Sequence, residues 1–269
     1  TEAFNSDLNS HFYGKIKNLF DRDKELKKLT IIQKKKLLNE LRVFHWIMEY
    51  SEVLEEGGFD ICLGNPPWDI YKPIEKEFFY KYDTKLTKYN VDKIEAKKII
   101  DKLKKDQEIS KKWDEHKNTI VLGAKYFNKS EYYKYQSDKI EGKTVSGDLN
   151  LYKLFTERFH QLTKKDGYCG IVTPSGLYTD AGTKGIRKLL FEKSKVTDLY
   201  CFVNTKGIFK PVHRSFKFII VLFKKGEKSE SFDAAFMLEE TSILKKIEKI
   251  SISIDWNLIK KLSPQSWSI

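Results

Sequence analysis

Soft and imidazole ligands are scarce in this chain of 269 residues, which has three cysteines, two methionines and five histidines. Cys62, Cys169 and Cys201 are odd in number, lack C-x-x-C spacing and lie in apolar runs. Neither a disulfide framework nor a zinc site is expected from them, and all three read as small core residues in a reducing compartment. His45, His160 and His213 fall at no metal or triad spacing, so no role is assigned to them. No apolar run approaches the roughly 18 residues a membrane span requires, and the N-terminus shows no signal-peptide pattern. The chain reads as cytosolic, and it contains no internal repeat. Proline is also rare: there are six, and two of them stand side by side as Pro66-Pro67.

What is present is charge and aromatic surface. Fifty Lys and Arg against 38 Asp and Glu give a formal charge of +12, which favours a polyanionic partner because each neutralised phosphate releases counterions. At 40% hydrophobic and 14% aromatic, the chain is rich enough to bury a core of its own.

Along residues 7–56, Leu26, Leu29, Ile32, Leu37, Leu38, Leu41, Phe44 and Ile47 recur three and four apart, as in amphipathic helices. Residues 1–58 are therefore taken as a helical lead-in ended by Gly57-Gly58. Residues 59–63 form a short continuous apolar run, expected to be a strand covered on both faces of a parallel sheet. Residues 70–147 read as a basic, mostly helical insertion with one clear helix around Val91, Ile94, Ile99 and Leu103. A helix carrying Leu151, Leu154, Phe155, Phe159 and Leu162 follows, with Asp148 as its expected N-cap, and Asp166-Gly167 turns the chain into a buried strand at 168–173. A helix at 183–193 and strands at 196–203 and 216–224 complete an alternating pattern that predicts an α/β sheet of largely parallel strands. The last two strands are too closely joined for a helix between them and are expected to pair antiparallel at the sheet's edge. Residues 59–226 are thus the core, and 227–269 read as a linker or the start of a target-recognition region.

The run at 59–69, FDICLGNPPWD, puts Asn-Pro-Pro-Trp just beyond a strand's carboxyl end, where open α/β sheets bind ligands. Pro66 and Pro67 fix φ and supply no N–H, leaving a rigid turn that presents carbonyl oxygens. Asn65 adds a side-chain acceptor, and Trp68 a flat face for stacking a heterocycle. Two acceptors gripping an NH₂ whose lone pair is conjugated would draw that nitrogen toward tetrahedral geometry and stabilise the charge that develops as it attacks a methyl donor. Asp69 reads as a cap of the following element. The lysines at 93, 97, 98, 102, 104 and 105 form an exposed helix face open to solvent or to a DNA backbone.

At this turn the sequence resembles the amino-methyltransferases that use S-adenosylmethionine, whose fourth motif is Asn-Pro-Pro-aromatic. It is most similar to the N6-adenine DNA methyltransferases of type IIG-like restriction–modification enzymes. The wording HWIMEYSEVLEEGGFDICLGNPPW, DLNLYKLFTERFHQLTKKDGYCGIVTPSGLYTDAGTKGIRKLL and NTKGIFKPVHRSFKFIIVLFKKG carries the resemblance over about two thirds of the chain. It implies a partial Rossmann-like methyltransferase sheet, with Asn65 and the Pro66 carbonyl holding an adenine amino group and Pro67 stiffening the turn. Trp68 would stack on a base flipped out of double-stranded DNA, and Phe209 in KGIFKP would supply the second aromatic of the eighth motif. S-adenosylmethionine is the implied cofactor, and a nuclease and a target-recognition domain, fused or associated, are the implied partners.

No Gly-rich cofactor turn follows a first strand, so the cofactor residues stay unassigned. DAGTKG at 180–185 reads as a loop and helix start. The chain, which opens on Thr1, is expected to be the catalytic half of a longer enzyme. Rival readings are an amino-methyltransferase acting on RNA or on a protein glutamine, and a non-catalytic DNA-binding module.

Overall fold

A computed structural model describes residues 30, 46–86, 92–136, 138–140, 143–145 and 148–269. The chain divides into two compact units, 1–58 and 59–269. In the first, most of the expected helical lead-in, His45 included, lies outside the described residues; the described part is helical over Trp46–Glu49 and Ser51–Glu55. Gly57 and Gly58 take φ of 97° and 121° and end the helix, their N–H groups bonding the Leu54 and Val53 carbonyls.

The second unit is α/β, as its alternating pattern predicts. Strand β1 (Phe59–Gly64) leads to the insertion, which holds α1 (Glu75–Phe79), α2 (Lys93–Leu103), α3 (Gln107–Lys129) and a hairpin of β2 (Asp138–Ile140) and β3 (Lys143–Val145). The chain then runs through α4 (Leu151–Leu162), β4 (Thr163–Pro174), α5 (Lys184–Glu192), β5 (Ser194–Val203), β6 (Lys217–Lys225), β7 (Ser231–Leu238), β8 (Ile252–Asp255) and α6 (Trp256–Leu262). Six strands form one sheet in the order β1-β4-β6-β5-β7-β8. β1, β4, β5 and β7 run one way; β6 opposes both of its neighbours, and β8 opposes β7.

Alternation along β5 places Leu199 and Cys201 in one core, with Cys169, Ile171, Ile219, Val221 and Phe223 beneath α4 and α5. Tyr200 and Phe202 point to the other face, against Phe218, Ala235 and Leu238. The sheet is therefore apolar on both sides at its centre, which is why its strands read as continuous apolar runs.

Several expectations need correction. Among the described residues β1 is not covered on both faces: it is an edge strand whose Ile61 and Leu63 are 60% and 74% exposed. An apolar run reports what the side chains are, not what lies against them. The β5–β6 pair is antiparallel but not at the edge, because β7 and β8 add beyond β5. Residues 227–269 are accordingly not a linker, since Phe232, Ala234, Trp256 and Ile259 enter the main core. Asp148 does not cap α4; Asn150 holds that position without a side-chain cap bond.

The insertion carries a separate core of Phe78, Phe79, Leu86, Ala96, Ile100 and Trp113. Its longest helix, α3, has 23 residues and an Asp106 cap bonding the Glu108 and Ile109 N–H groups. It falls in the stretch read as mostly helical, where no individual helix stands out from sequence because lysines interrupt the apolar stripe.

Candidate active site

The turn at 65–68 leaves the carboxyl end of β1. Pro66 is buried, Asn65 and Pro67 are exposed, and Trp68 is half-buried. The indole N–H of Trp68 donates to Asn65 Oδ1 at 2.9 Å and, more weakly, to the Val172 carbonyl on β4 at 3.4 Å. The ring is thus tied both to its own turn and to the neighbouring strand.

The insertion departs and returns at this point. Ile70 bridges Asn150, the Leu151 N–H bonds the Asp69 carbonyl at 2.9 Å, and the Tyr71 N–H bonds the Leu149 carbonyl at 2.7 Å. The start of α4 is therefore fixed to the residue after Trp68. Asp69 precedes this bridge rather than a helix, so the cap expected of it is not formed.

Three phenylalanines surround Trp68. Phe209 meets it edge-on, with centroids 5.2 Å apart and planes at 75°. Phe216 lies nearly parallel at 5.6 Å and 11°, and Phe218 at 6.1 Å and 27°. The structure brings the two predicted rings together, but not as facing plates. A base between two rings needs about 7 Å, twice a contact of roughly 3.5 Å, so the Trp68–Phe216 stack is closed in this conformation. Phe216 and Phe218 were not singled out from sequence, although S-F-K-F shows the i, i+2 spacing that puts both rings on one face of a strand.

Asn204 was missed as well. It is wholly buried at the end of β5, its Nδ2 donating to the Phe209 and Val212 carbonyls at 2.9 and 2.8 Å while its Oδ1 accepts the Phe209 N–H at 2.9 Å. The loop that carries Phe209 is pinned by this one amide. Gly207 closes the preceding turn at φ 70°, a left-handed conformation that suits glycine.

His160 is stacked near Phe223, and burial holds its imidazole down to about 4. His213 pairs with Ser215 Oγ at 2.8 Å. Cys169 and Cys201 are buried and Cys62 half-buried. Cys62 and Cys169 stand opposite each other in the β1–β4 register, and the hydrogen bond between them lowers the Cys62 thiol and raises that of Cys169. Among the described residues, no group of three or more His, Cys, Asp or Glu could hold a metal ion.

The turn after β1 has two prolines where a Gly-rich loop would offer N–H groups. In DAGTKG, residues 181–183 form a 3₁₀ turn leading into α5, and the Asp180 and Gly182 carbonyls are taken by Arg187 and Lys153. No helix of the described residues is long and apolar enough to cross a membrane.

The Eco57I restriction-modification methylase model matches residues 3–112 and 90–209. A putative type II restriction enzyme and methyltransferase of Methanocaldococcus jannaschii is 40% identical over 45 residues, covering 16% of this chain and 4% of that protein. Among solved structures, the type I methyltransferase subunit of Streptococcus thermophilus is similar at 13% identity and TM-score 0.47, over 82% of this chain and 39% of that one. A modification subunit of a putative type I restriction enzyme from Vibrio vulnificus is similar at 11% and 0.43, over 78% and 36%. The chain thus spans well under half the length of each of these relatives. With the family model matched across most of its residues, the chain belongs to the Eco57I restriction-modification methylase family.

Proposed function

We propose that the turn at 65–68 receives an adenine flipped out of duplex DNA and prepares its N6 amino group for methylation, with S-adenosylmethionine as the methyl donor. The observation that carries this reading is the acceptor edge itself: Asn65 and Pro67 are exposed, no proline N–H competes, and an anchored indole adjoins the edge.

Asn65 Oδ1 has two lone pairs, and the Trp68 N–H uses one of them. The other, together with the Pro66 carbonyl, accepts the two amino hydrogens. That grip favours tetrahedral nitrogen and stabilises the positive charge as the N–C bond forms, so no strong base is required; the surplus proton leaves to solvent afterwards. The base stacks on Trp68, which requires Phe216 to move aside. Phe216 immediately precedes β6 and is 38% exposed, so its ring has solvent to turn into while its main chain stays held by Asn204 and His213. Stacking offsets part of the unstacking cost of a few kcal/mol. The cofactor would supply an electrophilic methyl group, its S–CH₃ bond breaking to leave a neutral thioether, and no residue of this chain is assigned to hold it. Target recognition and any nuclease activity are placed in associated domains.

Substituting Asn65→Ala in the protein that carries this chain, and following labelled methyl transfer into DNA, tests the reading. Incorporation should fall by orders of magnitude with folding intact. Unchanged incorporation, or transfer into RNA or protein glutamine in preference to DNA, would remove the assignment.

A further inference from the structure

The loop from β5 into β6 bears four cations, Lys206, Lys210, Arg214 and Lys217, and no acidic residue over positions 204–217, in a chain that has 38 acids to 50 bases. Lys206 is taken by an ion pair with Glu240. The other three are exposed and, among the described residues, have no carboxylate within ion-pair distance. Arg214 instead donates to the Thr205 carbonyl at 3.1 Å, and its guanidinium fills the space beside Gly207 where a Cβ would stand.

Their positions follow the aromatic cluster. Lys210 follows Phe209 and Arg214 lies two residues before Phe216, and both rings touch Trp68; Lys217, between Phe216 and Phe218, turns to the opposite face of the strand. Asn204 fixes the loop through three short bonds, so the cations sit on a preorganised frame and not on a free coil. Exposed, unpaired positive charge on a rigid loop, next to an aromatic receiving surface, is what a phosphodiester backbone recognises.

We propose that this loop is a phosphate clamp, in which Lys210 and Arg214 hold the DNA backbone beside the base received at Asn65. The proposal rests on the function proposed above and names the surface by which that site grips its substrate.

The test is the salt dependence of binding of a short DNA duplex to this chain. A Lys210→Gln/Arg214→Gln variant should weaken binding and flatten the slope of log K against log salt by about 1.8, at roughly 0.9 per phosphate contact. A Lys193→Gln/Lys228→Gln variant, just before β5 and just after β6, should leave the slope in place. An unchanged slope for the loop variant, an equal loss from both variants, or no binding by the parent chain overturns the clamp. All four residues are exposed, and circular dichroism and melting check that both variants fold. Asn65→Ala separates the two ideas. If it abolishes methyl transfer while the loop variant keeps its slope, the clamp falls and the site stands; if it methylates normally while the loop slope flattens, the site falls and the clamp stands.

Discussion

The indole N–H of Trp68 donates to Asn65 Oδ1 at 2.9 Å, so the ring that would stack on a base also aims the oxygen that would hold its amino group. Both proposed tasks of the turn therefore depend on one hydrogen bond, and a second bond from the same N–H to Val172 at 3.4 Å ties the pair to the central sheet.

This coupling separates two substitutions. Trp68→Phe keeps a ring but removes the N–H, and should lower kcat for methyl transfer by about fivefold to tenfold, the equivalent of a net hydrogen bond of about 1 kcal/mol. Trp68→Ala also removes stacking of about 1–3 kcal/mol and should raise KM for DNA as well. Steady-state kinetics on both variants check this. A Phe variant with unaltered kcat would mean that the Asn65 tether has no bearing on the reaction.

Asn204 makes the aromatic loop a fixed feature. Asn204→Ala bares the Phe209 N–H and the Phe209 and Val212 carbonyls, at a cost of about 1–3 kcal/mol, and should lower Tm by roughly 2–10 °C. Asn204→Asp can accept from Phe209 but donate to neither carbonyl, and should rescue little. Differential scanning calorimetry of the two variants distinguishes an amide requirement from simple loss of volume.

Arg187 is wholly buried, yet its guanidinium donates only to main-chain carbonyls: Leu177 at 2.8 Å, Asp180 at 2.7 Å and Ser266 at 2.8 Å. Burial lowers its pKa to about 10, which still leaves it charged at neutral pH. Arg187→Met would strand three acceptors and should cost about 3 kcal/mol or more, read as a shift in the urea midpoint. Arg187→Lys should not restore stability, because a single ammonium cannot reproduce the planar fork. A midpoint within error of the parent would show that the network carries no net stability.

The pH dependence of stability should contain a contribution from His160. Its imidazole titrates near 4 in the folded chain against 6.5 ordinarily, chiefly through burial, with Lys225 opposing the charge further. Between those values the unfolded chain binds the proton and the folded chain does not. Stability from this group is thus full above pH about 6.5 and is lost as pH falls to about 4, to a total of about 3 kcal/mol. Glu157, raised by burial, has the opposite trend, so the measurement is the difference in unfolding free energy between the parent and His160→Gln across that window. A difference that stays constant with pH would refute the assignment.

Much of this architecture is decided locally. The apolar runs and the turn at Gly57-Gly58 give most strands and helices within a few residues, because side-chain periodicity and positive-φ turns are properties of the chain itself, whereas Asp166-Gly167, expected as a turn into a strand, lies inside β4, which already begins at Thr163. Asn65-Pro66-Pro67-Trp68 is legible for the same reason: two prolines remove donors wherever they stand. Which strand lies beside which is not local. β1 reads as an interior strand and is an edge, β6 inserts between β4 and β5, and residues after 226 join the sheet, because pairing depends on what other segments offer as partners. The site divides in the same way. Sequence supplies the acceptors and two of the rings, whereas Phe216, Phe218 and Asn204 acquire their meaning only when β6 folds back beside β4, since a side chain's neighbours across a sheet are set by register between distant segments and leave no mark on its own stretch of chain.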